Sequence, residues 1–180
     1  MQAMTRAAAL AAGMIGAMSG ASATPATAIN LDAQDPAGVT LALEAGSYEL
    51  RYIGRAEGGL YDSWNSWGFV SGCGTTPGDC AAGWVNFVGI EGASLPFTYR
   101  WDFMRYATPE AALDAAQGYF NPFTLTLASP ATVRFFVPDF YYSDNTGGIS
   151  LSLVPQIPEP GTVLLMAAGL GALALRGRRR

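Results

Sequence analysis

The 180-residue chain has no histidine and no lysine; all ten of its basic residues are arginine. Without imidazole there is no Ser/His/Asp or Cys/His relay, no His-bound zinc or haem, and no imidazole proton shuttle near neutral pH. Cysteine is almost as scarce. Cys73 and Cys80 alone cannot complete a four-ligand zinc site, and their spacing is not the C-x-x-C of dithiol enzymes. No phosphate loop, G-x-S-x-G elbow or paired-carboxylate motif occurs. Positive charge is scarcest in the middle, because Arg6, Arg176, Arg178, Arg179 and Arg180 sit at the extremities. Residues 29–157 keep five Arg against thirteen acids, a net charge of −8 where the whole chain shows −4. A nucleic-acid backbone would be repelled by such a domain, so nucleic acid is not an expected partner.

The two ends read as addresses. Arg6, the apolar run from Ala7 to Met18 and the small-residue sites Ala21-Ser22-Ala23 and Ala26-Thr27-Ala28 have the order of a cleaved secretory signal, assigned to 1–28. At the other end Ile157-Pro158-Glu159-Pro160 precedes an uncharged run, 161–175, and then Arg176-Gly177-Arg178-Arg179-Arg180. As a helix, that run would span roughly 22 Å against a hydrocarbon core of about 30 Å, which suits a temporary anchor better than a permanent one. The Arg cluster would stay cytoplasmic and leave the rest of the chain outside.

The sequence IPEPG, the short apolar run and RGRRR together resemble the PEP-CTERM sorting signal of Gram-negative bacteria, over about the last 23 residues. The resemblance implies recognition of Pro158, Glu159 and Pro160 by an exosortase-type membrane protease and transient anchoring in the inner membrane. Release to the cell envelope, surface or extracellular matrix would follow.

Between the ends, period-two alternation dominates. Phe97, Tyr99, Trp101 and Phe103 alternate with Thr98, Arg100, Asp102 and Met104, which predicts that the aromatic side is buried. Val39–Leu43, Tyr48–Tyr52, Trp84–Val88, Phe123–Leu127, Val133–Val137 and Ile149–Leu153 read as further strands. The expected fold is all-β: an antiparallel β-sandwich with one short helix, flanked by the signal peptide and the single C-terminal hydrophobic helix. The helix should start at Thr108-Pro109-Glu110, with Thr108 as cap, and close at Gly118. In an exported chain Cys73 and Cys80 should form a disulfide, worth about 2.5 kcal/mol in the chain-entropy model.

Two segments carry candidate chemistry. Asp139, Asp144 and Asn145, with Gly147 and Gly148 close behind, offer the oxygen ligands and bendable backbone that calcium wants, although the same Asx residues also serve plain turns. Trp64 and Trp67, in a Gly/Ser/Asn-rich loop with Tyr61, Asp62 and Phe69, either close the end of the sandwich or present a flat platform to a sugar. Trp84 and Trp101, on strands, are expected in the core. Asp62 and Asp139 are the carboxylates to watch for glycoside hydrolysis.

The stretches TVRFFVPDFYYSDNTGGISLSL and LYDSWNSWGF, with the Cys pair, are similar to the galactophilic bacterial lectins, roughly from Val39 to Val154. That resemblance implies a jelly-roll, galactose-binding-like sandwich and a calcium ion bridging protein and sugar. Asp139, Asp144, Asn145 and the Tyr61 carbonyl would be its ligands. The ligand loop here is about two residues shorter, Ser143 is the nearest substitute for a threonine ligand, and the family's histidine has no counterpart. The expected function is therefore a calcium-dependent carbohydrate-binding module, not an enzyme, with a glycan or exopolysaccharide as partner. A matrix protein without a discrete ligand and a glycoside hydrolase are the alternatives.

Overall fold

A computed structural model describes residues 25–92 and 95–156. The sorting residues Pro158, Glu159 and Pro160, the apolar run 161–175 and most of the signal segment lie outside them. Among the described residues no helix is long and apolar enough to cross a membrane.

Two antiparallel sheets pack as a sandwich. The first runs β1 (Thr27–Asp32), β9 (Thr146–Gln156), β3 (Gly46–Ile53) and β7 (Phe123–Leu127), with the two-residue β4 (Trp64–Asn65) paired to the start of β9. The second runs β2 (Val39–Leu43), β8 (Ala131–Phe136), β5 (Val88–Gly92) and β6 (Leu95–Arg100). Alternation in these strands places Leu50, Tyr52, Ile149, Leu151, Leu125 and Leu127 of one sheet against Val88, Ile90, Val133 and Phe135 of the other, all buried. The longest strand, β9, is central: Leu151 pairs with Ile29 on one side and Tyr52 on the other. Strand β1 opens at Thr27, two residues inside the segment assigned to the signal, and pairs there with Leu153.

The helix α1 (Pro109–Phe120) starts as expected, with the Thr108 hydroxyl accepting from the Ala111 amide. It runs past Gly118 to an Asn121 cap, because Asn121 has a tertiary task. The Asn121 amide group donates to the Tyr52 carbonyl and accepts from the Tyr52 amide, closing β3 where its ladder with β7 ends. Cys73 and Cys80 are disulfide-bonded.

One face is reversed. On β6 the aromatic side points outward, with Phe97 and Tyr99 about half exposed, while Thr98 and Arg100 are turned in. The inward Arg100 stacks its guanidinium 5.2 Å over the Phe123 ring, while its Nε is buried without a hydrogen-bond partner. The expected strand Trp84–Val88 likewise begins only at Val88; Trp84 and Val85 form isolated bridges to Tyr106 and Trp64.

Tyrosines in this core set the alkaline limit of stability. Burial pushes the Tyr52 phenol far above its ordinary value, and its hydroxyl donates to the Asn86 carbonyl at 2.9 Å. Tyr106 is raised by burial first and then by its 2.7 Å hydrogen bond to Asp102. The folded chain holds both protons where unfolded tyrosine, near 10, has lost them. Their contribution to stability is therefore intact below about pH 10 and lost as the pH climbs above it. Melting temperatures between pH 8 and 11.5 should fall steeply above pH 10 and less steeply in Tyr52→Phe; a flat profile to pH 11 would contradict this.

Candidate functional site

At one end of the sandwich, the loop around β4 and the loop between β8 and β9 face each other across a cleft of about 210 Å³. Trp64 forms its floor. It is buried, its indole N–H donates to the Phe87 carbonyl at 2.9 Å, and its backbone bridges Val85 and Gly147. Asn65, also buried, shapes the next turn: its side-chain amide donates to the Phe69 carbonyl at 2.7 Å and its carbonyl accepts from the Trp67 amide at 3.0 Å. That pair of bonds presents Trp67 with its ring 41% exposed.

Arg105 and Trp101 form the adjoining wall. The Arg105 guanidinium lies 4.8 Å over the Trp67 ring and 5.9 Å from that of Trp101. Such stacking is worth about 0.5–2 kcal/mol. The backbone of Arg105 is held from behind by the disulfide loop, donating to the Gly78 carbonyl and accepting from the Cys80 amide, both at 3.2 Å. Three of the domain's five arginines pair with carboxylates: Arg51 with Glu49, Arg55 with Asp62 and Arg134 with Glu91, each at 2.6 Å. Among the described residues the Arg105 guanidinium makes no ion pair, and its Nε, like the Trp101 Nε1, is buried without a hydrogen-bond partner.

The opposite wall carries Pro138, Asp139, Tyr141 and Asp144. One Asp139 carboxylate oxygen accepts from the Phe140 amide at 2.6 Å, while the other is buried and has no partner. A Cβ at Gly68 would come within van der Waals contact of the Asp144 carbonyl, so the loop after β4 passes close to the β8–β9 loop there. The cleft thus joins aromatic surface, an unpaired cation and two carboxylates.

Of the residues singled out in the sequence, Asp139, Asp144, Trp64 and Trp67 meet here. Asn145 does not line the cleft: its side chain turns inward and donates to the Ala33 carbonyl at 2.8 Å, tying the loop to the end of β1. Tyr61 and Asp62 line a separate pocket with Trp84 and Gly147. Both Asp62 oxygens are occupied by Arg55, through its backbone amide at 2.8 Å and its Nε at 2.6 Å. The Tyr61 amide donates to the Ser150 hydroxyl, and its phenol is raised by burial first and then by Asp32. The carboxylates Asp62 and Asp139, considered for hydrolysis, line different pockets. Gly147 and Gly148 serve close packing, since a Cβ at 147 would meet the Ser63 carbonyl and one at 148 the Leu31 carbonyl.

Calcium takes six to eight oxygens. The cleft brings two carboxylates, and among the described residues no three of His, Cys, Asp and Glu gather to hold an ion. Any further oxygens would have to be carbonyls, waters or a ligand's hydroxyls.

Residues 156–180 match the family model of the PEP-CTERM protein-sorting motif. The chain carries a PEP-CTERM sorting signal. The motif implies processing by an exosortase and marks the protein as exported to the cell surface. No curated protein and no solved structure matches the chain. The PEP-CTERM motif begins at the last residue of β9, which pairs with Ser47, so the folded sheet runs directly into the sorting signal.

Proposed function

We propose that this exported domain binds carbohydrate in the cleft between Trp67 and Asp139. The observation that carries the reading is the pairing of ring surface with unpaired polar groups. A sugar has apolar C–H faces that stack on rings and hydroxyls that both donate and accept. The cleft supplies the matching set: Trp67 and Trp101 for the faces above the Trp64 floor, the Arg105 guanidinium as donor, and Asp139 and Asp144 as acceptors. A protein-sized partner could not enter so small a space.

Calcium enters as a second form of the same reading, favoured by the Asp139 oxygen that lacks a partner. In that form Asp139 and Asp144 hold one side of the ion and the hydroxyls of the sugar complete the other, as the likeness to galactophilic lectins suggests. Isothermal calorimetry on the mature exported protein separates the forms. The titrants are galactan, xylan, mannan, dextran and alginate, each with calcium and with chelator. Saturable binding to at least one of them is expected. If calcium is the bridge, chelation and Asp139→Ala each abolish binding; if the side chains act alone, binding survives the chelator. No saturable heat with any polysaccharide in either condition would reject the reading.

A further inference from the structure

The outward face of β6 gives the cleft a continuation. Phe97 and Tyr99 stand edge to face at 4.3 Å, Tyr99 meets Phe87 at 4.9 Å, Phe87 stacks on Trp101 at 4.6 Å, and Trp101 meets Phe103 at 4.8 Å. The row is unbroken, and Phe87 and Trp101 are also walls of the cleft. Phe97 is 49%, Tyr99 50% and Phe103 76% exposed. Soluble sheets rarely spend adjacent exposed rings without a use. Phe103 is held in the left-handed region at φ 65°, a conformation that costs a bulky residue about 1–2 kcal/mol and that Asp102 supports by accepting from the Met104 amide. Its ring packs only on Trp101 among the ring pairs of the described residues, so the strained turn extends the row rather than filling a core.

We propose that this row of rings carries an extended polysaccharide chain, an internal unit of which sits in the cleft. The inference rests on the carbohydrate reading of the cleft and specifies its substrate class: a linear chain several units long, not a monosaccharide or a terminal sugar. Continuity decides for this occupant. A unit seated between Trp67 and Asp139 has neighbours that must leave the cleft, and the rings shared by cleft and row mark a way out. From residue 97 to residue 100 β6 covers about 10 Å, and the row continues beyond it to Trp101 and Phe103, more than one pyranose ring spans. A second copy of the chain would instead need about 800 Å² of matched surface per partner. The outward side of the same sheet beyond the rings carries Thr40, Glu91, Thr132 and Arg134, which is polar and charged.

The test uses the mature protein and ladders of cello-, manno- and xylo-oligosaccharides from two to six units, with the affinity read by calorimetry. The best ladder should gain at least tenfold from dimer to hexamer, about 1.4 kcal/mol. In Tyr99→Ala and Phe103→Ala the hexamer should lose about tenfold and the dimer less than twofold. Both rings are exposed, so the variants should keep the parent melting temperature. An affinity that stops growing at the dimer, or ring variants that weaken dimer and hexamer equally, overturns the extended-chain inference while leaving the cleft reading intact. Binding by no ladder overturns the extended-chain inference; the carbohydrate reading of the cleft falls with it only if galactan, xylan, mannan, dextran and alginate also give no saturable heat. A concentration-dependent dimer in sedimentation, abolished by the same variants, assigns the rings to self-association and overturns the inference.

Discussion

Leu151→Ala is expected to destabilise the domain by about 2–5 kcal/mol, the range for emptying a well-packed aliphatic site. Leu151 is fully buried, its strand is flanked by β1 and β3, and its neighbours in register are Ile29 and Tyr52. Because two strands depend on β9, the sheet has no route to collapse around the missing atoms without disturbing both ladders. Domains of this size hold about 5–15 kcal/mol in total, so the exchange removes a large share of the stability. Urea denaturation of the mature protein measures it directly, with Leu60→Ala, at an exposed site, as a control expected to stay within about 0.5 kcal/mol. An effect at Leu151 below about 1 kcal/mol would mean that β9 is not the hub of the sandwich.

Trp67→Ala should have the largest effect on ligand. The exchange removes the exposed ring of the cleft and, with it, the surface on which Arg105 is stacked. Loss of an aromatic anchor that a ligand covers costs about 2 kcal/mol or more at a binding site, roughly thirtyfold in affinity. The ring is 41% exposed and its turn is fixed by Asn65, so the melting temperature should barely move. Trp84→Phe, outside the cleft, should leave affinity unchanged. Equal losses in the two variants would point to a general loosening of the fold and not to a contact with ligand.

Much of the fold was legible because strand alternation is a local signal. Phe123, Leu125 and Leu127 alternate with threonines, and the ladder places them as the pattern requires. Alternation defines two faces, however, and does not say which one meets the core. On β6 the choice went against hydropathy because Arg100 could stack on Phe123 and because the aromatic side faces outward beside the cleft. The helix began where its cap and proline dictate, and it ended later than its glycine suggested because Asn121 closes β3.

The site was half legible for a related reason. Asp139, Asp144, Trp64 and Trp67 sit in loops whose composition marks them. Arg105 and Trp101 do not: Arg105 is placed by the bridges from Asp79 to Arg105 and from Trp84 to Tyr106, distant in sequence, and Trp101 follows β6 and stacks on Phe87. One signal was available in the charges: only five arginines lie in residues 29–157, and Arg105 follows an aromatic run with no acid beside it except Asp102, which is engaged by Asn86 and Tyr106. Asn145 and Tyr61 are placed outside the cleft lining, the Asn145 NH2 bonded to Ala33 and the Tyr61 amide to Ser150, by tertiary hydrogen bonds that no local pattern encodes.

The central claim is that carbohydrate enters the cleft, and the indole resonances of the mature protein test it most directly. Four tryptophans give four indole N–H signals in a nitrogen–proton correlation spectrum. Trp64, Trp67 and Trp101 line the cleft, and Trp84 lies in a different pocket. Titration with the polysaccharide fragment that binds best in calorimetry should shift the Trp67 and Trp101 signals, move that of Trp64 less because it is already bonded to Phe87, and leave Trp84 in place. Shifts confined to Trp84, or none at all at saturating fragment, would contradict the account.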